Sequence, residues 1–185
     1  MIEIVGISGS LRKGSYNSSL LRAAAALAPE GTRVETASIL GLPLYDGDVE
    51  EEAGVPQAVR VLADRIVRAH GLLLVTPEYN NSIPGVFKNA IDWLSRLPEE
   101  AGPLFRDRPV ALMGASPGRM GTSLAQAAWL PVLRTLGTRP WFGGRLLVGS
   151  AHKVFDEGGT LVDDRVRTEL KAFMAGFSEF VDRGR

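Results

Sequence analysis

The chain has 185 residues and is 45% apolar, which suits one well-buried core in a single domain spanning residues 1–185. Lys plus Arg and Asp plus Glu each total 21, so the formal charge is zero and nothing in the balance points to nucleic acid or an anionic surface. The lack of cysteine excludes disulfides, thiolate metal sites and thiol chemistry, and any redox activity needs a bound cofactor.

In chain order, Ile2 to Ile7 is short, β-branched and followed by Gly and Ser, the pattern of a buried first strand. A helix starts near Asn17, carries Leu20, Leu21, Ala24, Ala25 and Leu27 on one face, and ends by Pro29 to Gly31. Arg33 to Ser38 is a second strand anchored by Val34. Ile39 to Gly54 has little periodicity and reads as a loop. Val55, Val59, Leu62, Ala63, Ile66 and Val67 recur at helical spacing, with Gly71 as terminator. Leu72 to Thr76 is an unbroken apolar run, as in a parallel strand covered on both faces.

Beyond a polar loop, Pro84 starts a helix that buries Val86, Phe87, Ala90, Ile91 and Leu94. Val110 to Met113 is the next strand, and Gly121 to Gly137 a helix in which Pro131 predicts a kink or two joined helices. Arg145 to Val148 is the last strand. Asp163 to Asp182 closes the chain as an amphipathic helix on Val166, Leu170, Phe173, Met174, Phe177 and Val181. Strands alternating with helices predict an α/β fold with a doubly wound, five-stranded parallel sheet and helices on both faces. No apolar run nears the ~18 residues of a membrane span, and Met1 to Ile7 lacks the length and basic lead of a signal sequence, so a cytoplasmic protein without a membrane partner is expected.

Ligands of such sheets bind beyond the carboxyl ends of the strands, which directs attention to three loops. The first, SGSLRKGSYNS from Ser8 to Ser18, gathers serines, Asn17, Arg12 and Lys13 at a helix start, where free N–H groups and the helix dipole favour a phosphate. The same residues also serve as ordinary N-caps. Ser15 stands where a P-loop needs lysine, and no G-x-G-x-x-G follows the first strand, so a mononucleotide with one terminal phosphate fits better than a triphosphate or dinucleotide. The second loop, TPEYNNSIPG from Thr76 to Gly85, sets Tyr79 beside polar groups, a mixture suited to a flavin ring and equally to a Pro-bounded turn. The third, GASPGRMGT from Gly114 to Thr122, lets backbone approach a planar ligand and offers Arg119 to an anion; tight turns use the same residues. His70, at a helix end, and His152 belong to no metal or triad pattern; Trp93, Trp129 and Trp141 read as core or interface residues.

Taken together, SGSLRKGSYN, LPLYDGD and TPEYNNSIPGVFKNAIDWLSR resemble the NAD(P)H-dependent FMN reductases that include chromate and quinone reductases, along almost the whole chain. The resemblance implies a flavodoxin-like fold, bound FMN, NADPH or NADH as donor, and homodimers or homotetramers. Ser10, Arg12, Ser15, Asn17 and Ser18 would then hold the phosphate. Pro77, Glu78, Tyr79, Asn80, Asn81 and Ser82 would line the isoalloxazine, with Glu78 and Asn80 as its main polar contacts. Ser116 and Gly118 would form a third wall, and the loop with Tyr45 and Asp46 would border the site or a neighbouring subunit. The flavin N5 carries the chemistry in a ping-pong hydride cycle, so no catalytic dyad is required; Glu78 is a possible acid or base and equally a structural carboxylate. Quinones, free flavin, azo or nitro compounds and chromate are the implied small-molecule acceptors. SLAQAAWLPVLRTLG replaces a Tyr/His/Arg-containing helix of some relatives, which leaves oligomer contacts and acceptor preference open. A non-enzymatic flavodoxin-like electron carrier is the alternative; such carriers usually have an acidic docking face.

Overall fold

In the computed structural model, which describes residues 1–97 and 104–184, all strand pairings are parallel and the sheet order is β2-β1-β3-β4-β5. The strands are β1 (Ile2–Ser8), β2 (Thr32–Ala37), β3 (Gly71–Val75), β4 (Pro109–Ala115) and β5 (Arg139–Pro140), with β6 (Leu146–Val148) also on β4. The order runs outward from β1 in two directions, the flavodoxin-like arrangement, and β3 lies at its centre as its apolar run requires.

Alternation along the strands splits the interior into two cores. Ile4, Leu73, Val75, Ala111 and Met113 face helices α1 (Tyr16–Ala26) and α7 (Asp164–Asp182); Val5, Ile7, Leu72, Leu74 and Val110 face α3 (Gln57–Arg68), α4 (Gly85–Leu94) and α5 (Ser123–Thr135). The stripe predicted for α7 is buried at every position, and Trp93 and Trp129 are fully buried in the second core. Such side chains stabilise by ~1.5–3 kcal/mol each relative to exposure.

The structure departs from the sequence reading at five points. The loop 39–54 contains the short helix α2 (Gly47–Ala53), capped by the Asp46 carboxylate, which accepts from the Asp48 N–H; none of its residues is buried, so it leaves no apolar periodicity. Gly71 begins β3 rather than ending α3, and is glycine where a Cβ would meet Val181 at 2.8 Å. Of the two arrangements expected at Pro131, a kink or two joined helices, the second does not occur: Pro131 sits inside one continuous α5. A further helix, α6 (Ala151–Val154), precedes a bridge between Phe155 and Leu161.

The last difference is the division of the fifth strand. Trp141 turns out of the sheet onto α7, 5.0 Å edge-on from Phe173 and 5.8 Å from Phe177. A Cβ on Gly143, Gly144 or Gly176 would come within 2.4, 2.7 and 2.8 Å of the indole, so glycine is what lets the chain wrap the ring. The backbone rejoins β4 at Leu146.

Candidate active site

At the carboxyl end of β1 the first loop does what its serines permit as caps. Ser15 Oγ accepts from the N–H groups of Asn17 (3.2 Å) and Ser18 (3.3 Å), and the Ser8 and Ser18 hydroxyls pair at 2.9 Å. Arg12 donates to Gly14 O at 2.6 Å and lies 5.5 Å from the centre of the Tyr16 ring, on the exposed side of the loop. Asn17 is nearly buried and acts as a brace. Its Nδ2 donates to Ala115 O and its Oδ1 accepts from the Ala115 N–H, both at 2.9 Å, tying the start of α1 to the end of β4.

In the second loop, Tyr79 and Ser82 exchange backbone bonds of 3.1 and 3.0 Å around Asn80 and Asn81, whose φ values are +50° and +63°. This is the geometry of a two-residue type I′ turn, where asparagine tolerates the left-handed region better than most residues. Glu78 does not enter the turn. Its Oε2 accepts from the N–H groups of Leu124 (2.8 Å) and Ala125 (2.9 Å), in the first turn of α5. Trp129 Nε1 adds a bond of 3.1 Å to Thr76 Oγ1, so the end of β3 and α5 are joined twice.

The third loop closes the ring. Gly114 is required at its start, since a Cβ would fall 2.2 Å from both Thr76 O and Thr122 Oγ1. Ser116 Oγ donates to Gly121 O at 2.7 Å, and the Ser116 N–H to Val148 O at 2.9 Å.

The three loops enclose a cleft of about 250 Å³. Of the residues expected at a cofactor site, Ser10, Arg12, Ser15, Asn17, Pro77, Glu78, Tyr79 and Ser116 line it. Ser18, Asn80, Asn81, Ser82 and Gly118 stand outside that lining, on the same loops. Tyr16, Ala115 and Pro117 line it unforeseen; their place beside Ser15 and Ser116 on the same βα loops was the available signal. A larger hollow of about 310 Å³, walled by Leu112, Leu130, Trp141 and Phe142, lies at the sheet edge away from these loops. The cleft has the chemistry an FMN needs: hydroxyls and a guanidinium at a helix start for a phosphate, and proline and tyrosine surfaces with backbone groups for a flat ring.

Tyr45 and Asp46 do not line the cleft. Tyr45 packs edge-on to Trp93 at 5.0 Å, its N–H donates to Asn89 Oδ1, and its hydroxyl donates to Glu50 Oε2 at 2.9 Å. Arg96 Nε binds the same carboxylate at 2.8 Å, and Pro43 O accepts from Asn89 Nδ2 and Trp93 Nε1. The Arg96 bond holds the Glu50 carboxyl below the usual carboxylate range, and the bond to Glu50 pushes the Tyr45 phenol up. His70, just past the end of α3, is tied to β1: its Nδ1 accepts from the Glu3 N–H at 2.9 Å.

The sequence profile of the NADPH-dependent FMN reductases matches residues 2–153. An NAD(P)H-dependent FMN reductase of Pseudomonas aeruginosa is 44% identical over 182 residues, covering 98% of this chain and 96% of that one. A quinone reductase of Escherichia coli is 38% identical over 187 residues, covering 98% and 96%. Among solved structures, the flavoenzyme NAD(P)H:(acceptor) oxidoreductase FerB of Paracoccus denitrificans superposes with a TM-score of 0.86 at 32% identity, covering 100% of this chain and 99% of that one. With its flavodoxin-like sheet and a cleft framed by the three βα loops, the chain belongs to the NADPH-dependent FMN reductase family, as an oxidoreductase that uses FMN and NAD(P)H.

Proposed function

We propose that the protein holds FMN in the cleft between the three loops and reduces quinones at the expense of NADPH or NADH. The observation that carries this reading is the convergence of Ser10, Arg12, Ser15, Pro77, Tyr79 and Ser116 on one opening at the carboxyl ends of β1, β3 and β4. When bound, FMN supplies the two-electron chemistry: a hydride from the nicotinamide in one half of a ping-pong cycle, and electrons to the acceptor in the other. Ser10, Arg12, Ser15 and the start of α1, with Ser18 behind it, would hold the phosphate through hydroxyls, N–H groups and one fixed charge. Pro77, Tyr79 and the turn at Asn80, Asn81 and Ser82 would flank one side of the ring, and Ser116 with Gly118 the other. Asn17 and Glu78 contribute by fixing the loops to one another.

Quinones are favoured as acceptors because relatives carry that activity in their names, including a 2-hydroxy-1,4-benzoquinone reductase of Burkholderia that is 35% identical over 180 residues, covering 97% of this chain and 96% of that one. Free flavin, azo and nitro compounds and chromate would reach the same open face. No helix among the described residues is long and apolar enough to cross a membrane. A cytoplasmic location and assembly into dimers or tetramers complete the proposal; exposed Leu124, Leu130 and Phe142 support self-association.

Anaerobic addition of NADPH or NADH to the FMN-loaded protein, followed by a quinone, tests the reading. Bleaching of the flavin absorbance and its recovery on quinone are expected, at rates that rank the donors. Bound FMN that neither nucleotide bleaches would overturn the reading and leave an electron carrier or a flavin-binding module as the better account.

A further inference from the structure

The N-terminus of α5 is built without a cap of its own. Its N-cap, Thr122, is fully buried and makes no side-chain cap; its Oγ1 instead accepts from Gln126 Nε2 at 3.1 Å. No acidic residue occupies the first turn, and Ala125 stands where a capping box would have Glu or Gln. The missing anion arrives from another loop: Glu78 Oε2 takes both the Leu124 and Ala125 N–H groups. A fixed negative charge thus sits at the positive end of a helix, on a residue that also lines the cleft.

We propose that Glu78 is a positioning residue that acts through α5: it fixes the Pro77–Ser82 loop against the third loop, and its charge lowers the reduction potential of the cofactor. The inference rests on the reading of the cleft as the FMN site. Geometry and charge separate cleanly, because a Gln side chain keeps an oxygen that can accept both N–H groups while removing the charge. Reduction adds electron density to the flavin, so a carboxylate close by disfavours the reduced form and its removal favours it.

Three proteins test the idea: wild type, Glu78→Gln and Glu78→Ala. Glu78→Ala should lower the melting temperature of the apoprotein and weaken FMN retention on the order of tenfold, from the lost cap. Glu78→Gln should keep both near wild type and move the two-electron midpoint potential of bound FMN upward. An unchanged potential in Glu78→Gln overturns the role of the charge. Equal loss of FMN in both variants overturns the positioning role, since it would mean the carboxylate itself binds the cofactor. The apoprotein comparison needs no FMN: an unshifted melting temperature in Glu78→Ala removes the cap. Unchanged FMN retention in Arg12→Ala and Ser15→Ala would fail the cofactor-site reading instead.

Discussion

The cleft and the strap at 43–53 are both loop-built, yet they are fastened by different chemistry. Around the cleft the bonds run mainly from side chains to backbone, Asn17 to Ala115 and Glu78 to α5, with the buried Trp129 adding a side-chain bond to Thr76 Oγ1. On the strap they run largely between side chains, from the exposed Tyr45 and Arg96 to the half-buried Glu50, while Asn89 and Trp93 grip its backbone. A buried bond to backbone has no competing water and leaves an unsatisfied group when broken, so it fixes geometry. Exposed ion pairs are screened and contribute little, so they fasten without fixing. The site is rigid where a cofactor must be held and only tethered where the chain covers α4.

The largest effect should come from breaking the buried side of that contrast. Asn17→Ala strands both the N–H and the C=O of Ala115, at a cost of about 2–4 kcal/mol, and lets the first and third loops separate. Urea unfolding of the apoprotein measures the cost; a change below about 0.5 kcal/mol would mean that water replaces both bonds and that Asn17 is no brace. Next, Arg12→Ala removes the guanidinium that lines the cleft among the described residues and should weaken FMN binding by about 1.5–3 kcal/mol while leaving apoprotein stability nearly unchanged. Fluorescence titration with FMN checks this. Unchanged affinity would take Arg12 out of the phosphate site.

A smaller effect separates the two uses of asparagine in the second loop. Asn81→Gly preserves the left-handed turn, whereas Asn81→Val strains it by about 1–2 kcal/mol. If the residue serves the turn, the Gly variant should bind FMN as wild type and the Val variant more weakly. Equal weakening of both would assign the amide to the cofactor.

These contrasts also explain what could be read from the sequence. The run Leu72 to Val75 and the stripe on α7 report local burial, and burial writes itself into the order of apolar residues. The serine-rich first loop announced a capped helix start, because a hydroxyl there accepts from the free N–H groups, as Ser15 does. Helix α2 left no trace, since a helix with no buried face has no stripe to read. Division of the fifth strand depends on Trp141 meeting Gly176, a contact across the fold. The Glu78 cap joins residues 46 and 47 positions apart. Its one local sign was negative: a helix start at Thr122 with no acid behind it.

The smallest expected effect lies on the strap and comes from pH. The Glu50 carboxyl is held below its usual range chiefly by the Arg96 bond, so its contribution is present above the ordinary carboxylate pKa, about 4.3, and is lost as the pH falls through the lower folded value. The Tyr45 phenol is raised by its bond to Glu50, so its contribution is present below about 10 and is lost as the pH rises through the higher folded value. Between these limits the strap is fastened, and beyond either it should loosen while the cleft loops stay protected. Hydrogen exchange at residues 43–53, followed from pH 7 downward through the carboxylate range, should show faster exchange in acid than the intrinsic rates explain. Arg96→Met should bring that loosening to pH 7 and flatten the acid response. Equal protection of strap and cleft in the variant would erase the distinction between a tethered strap and a braced site.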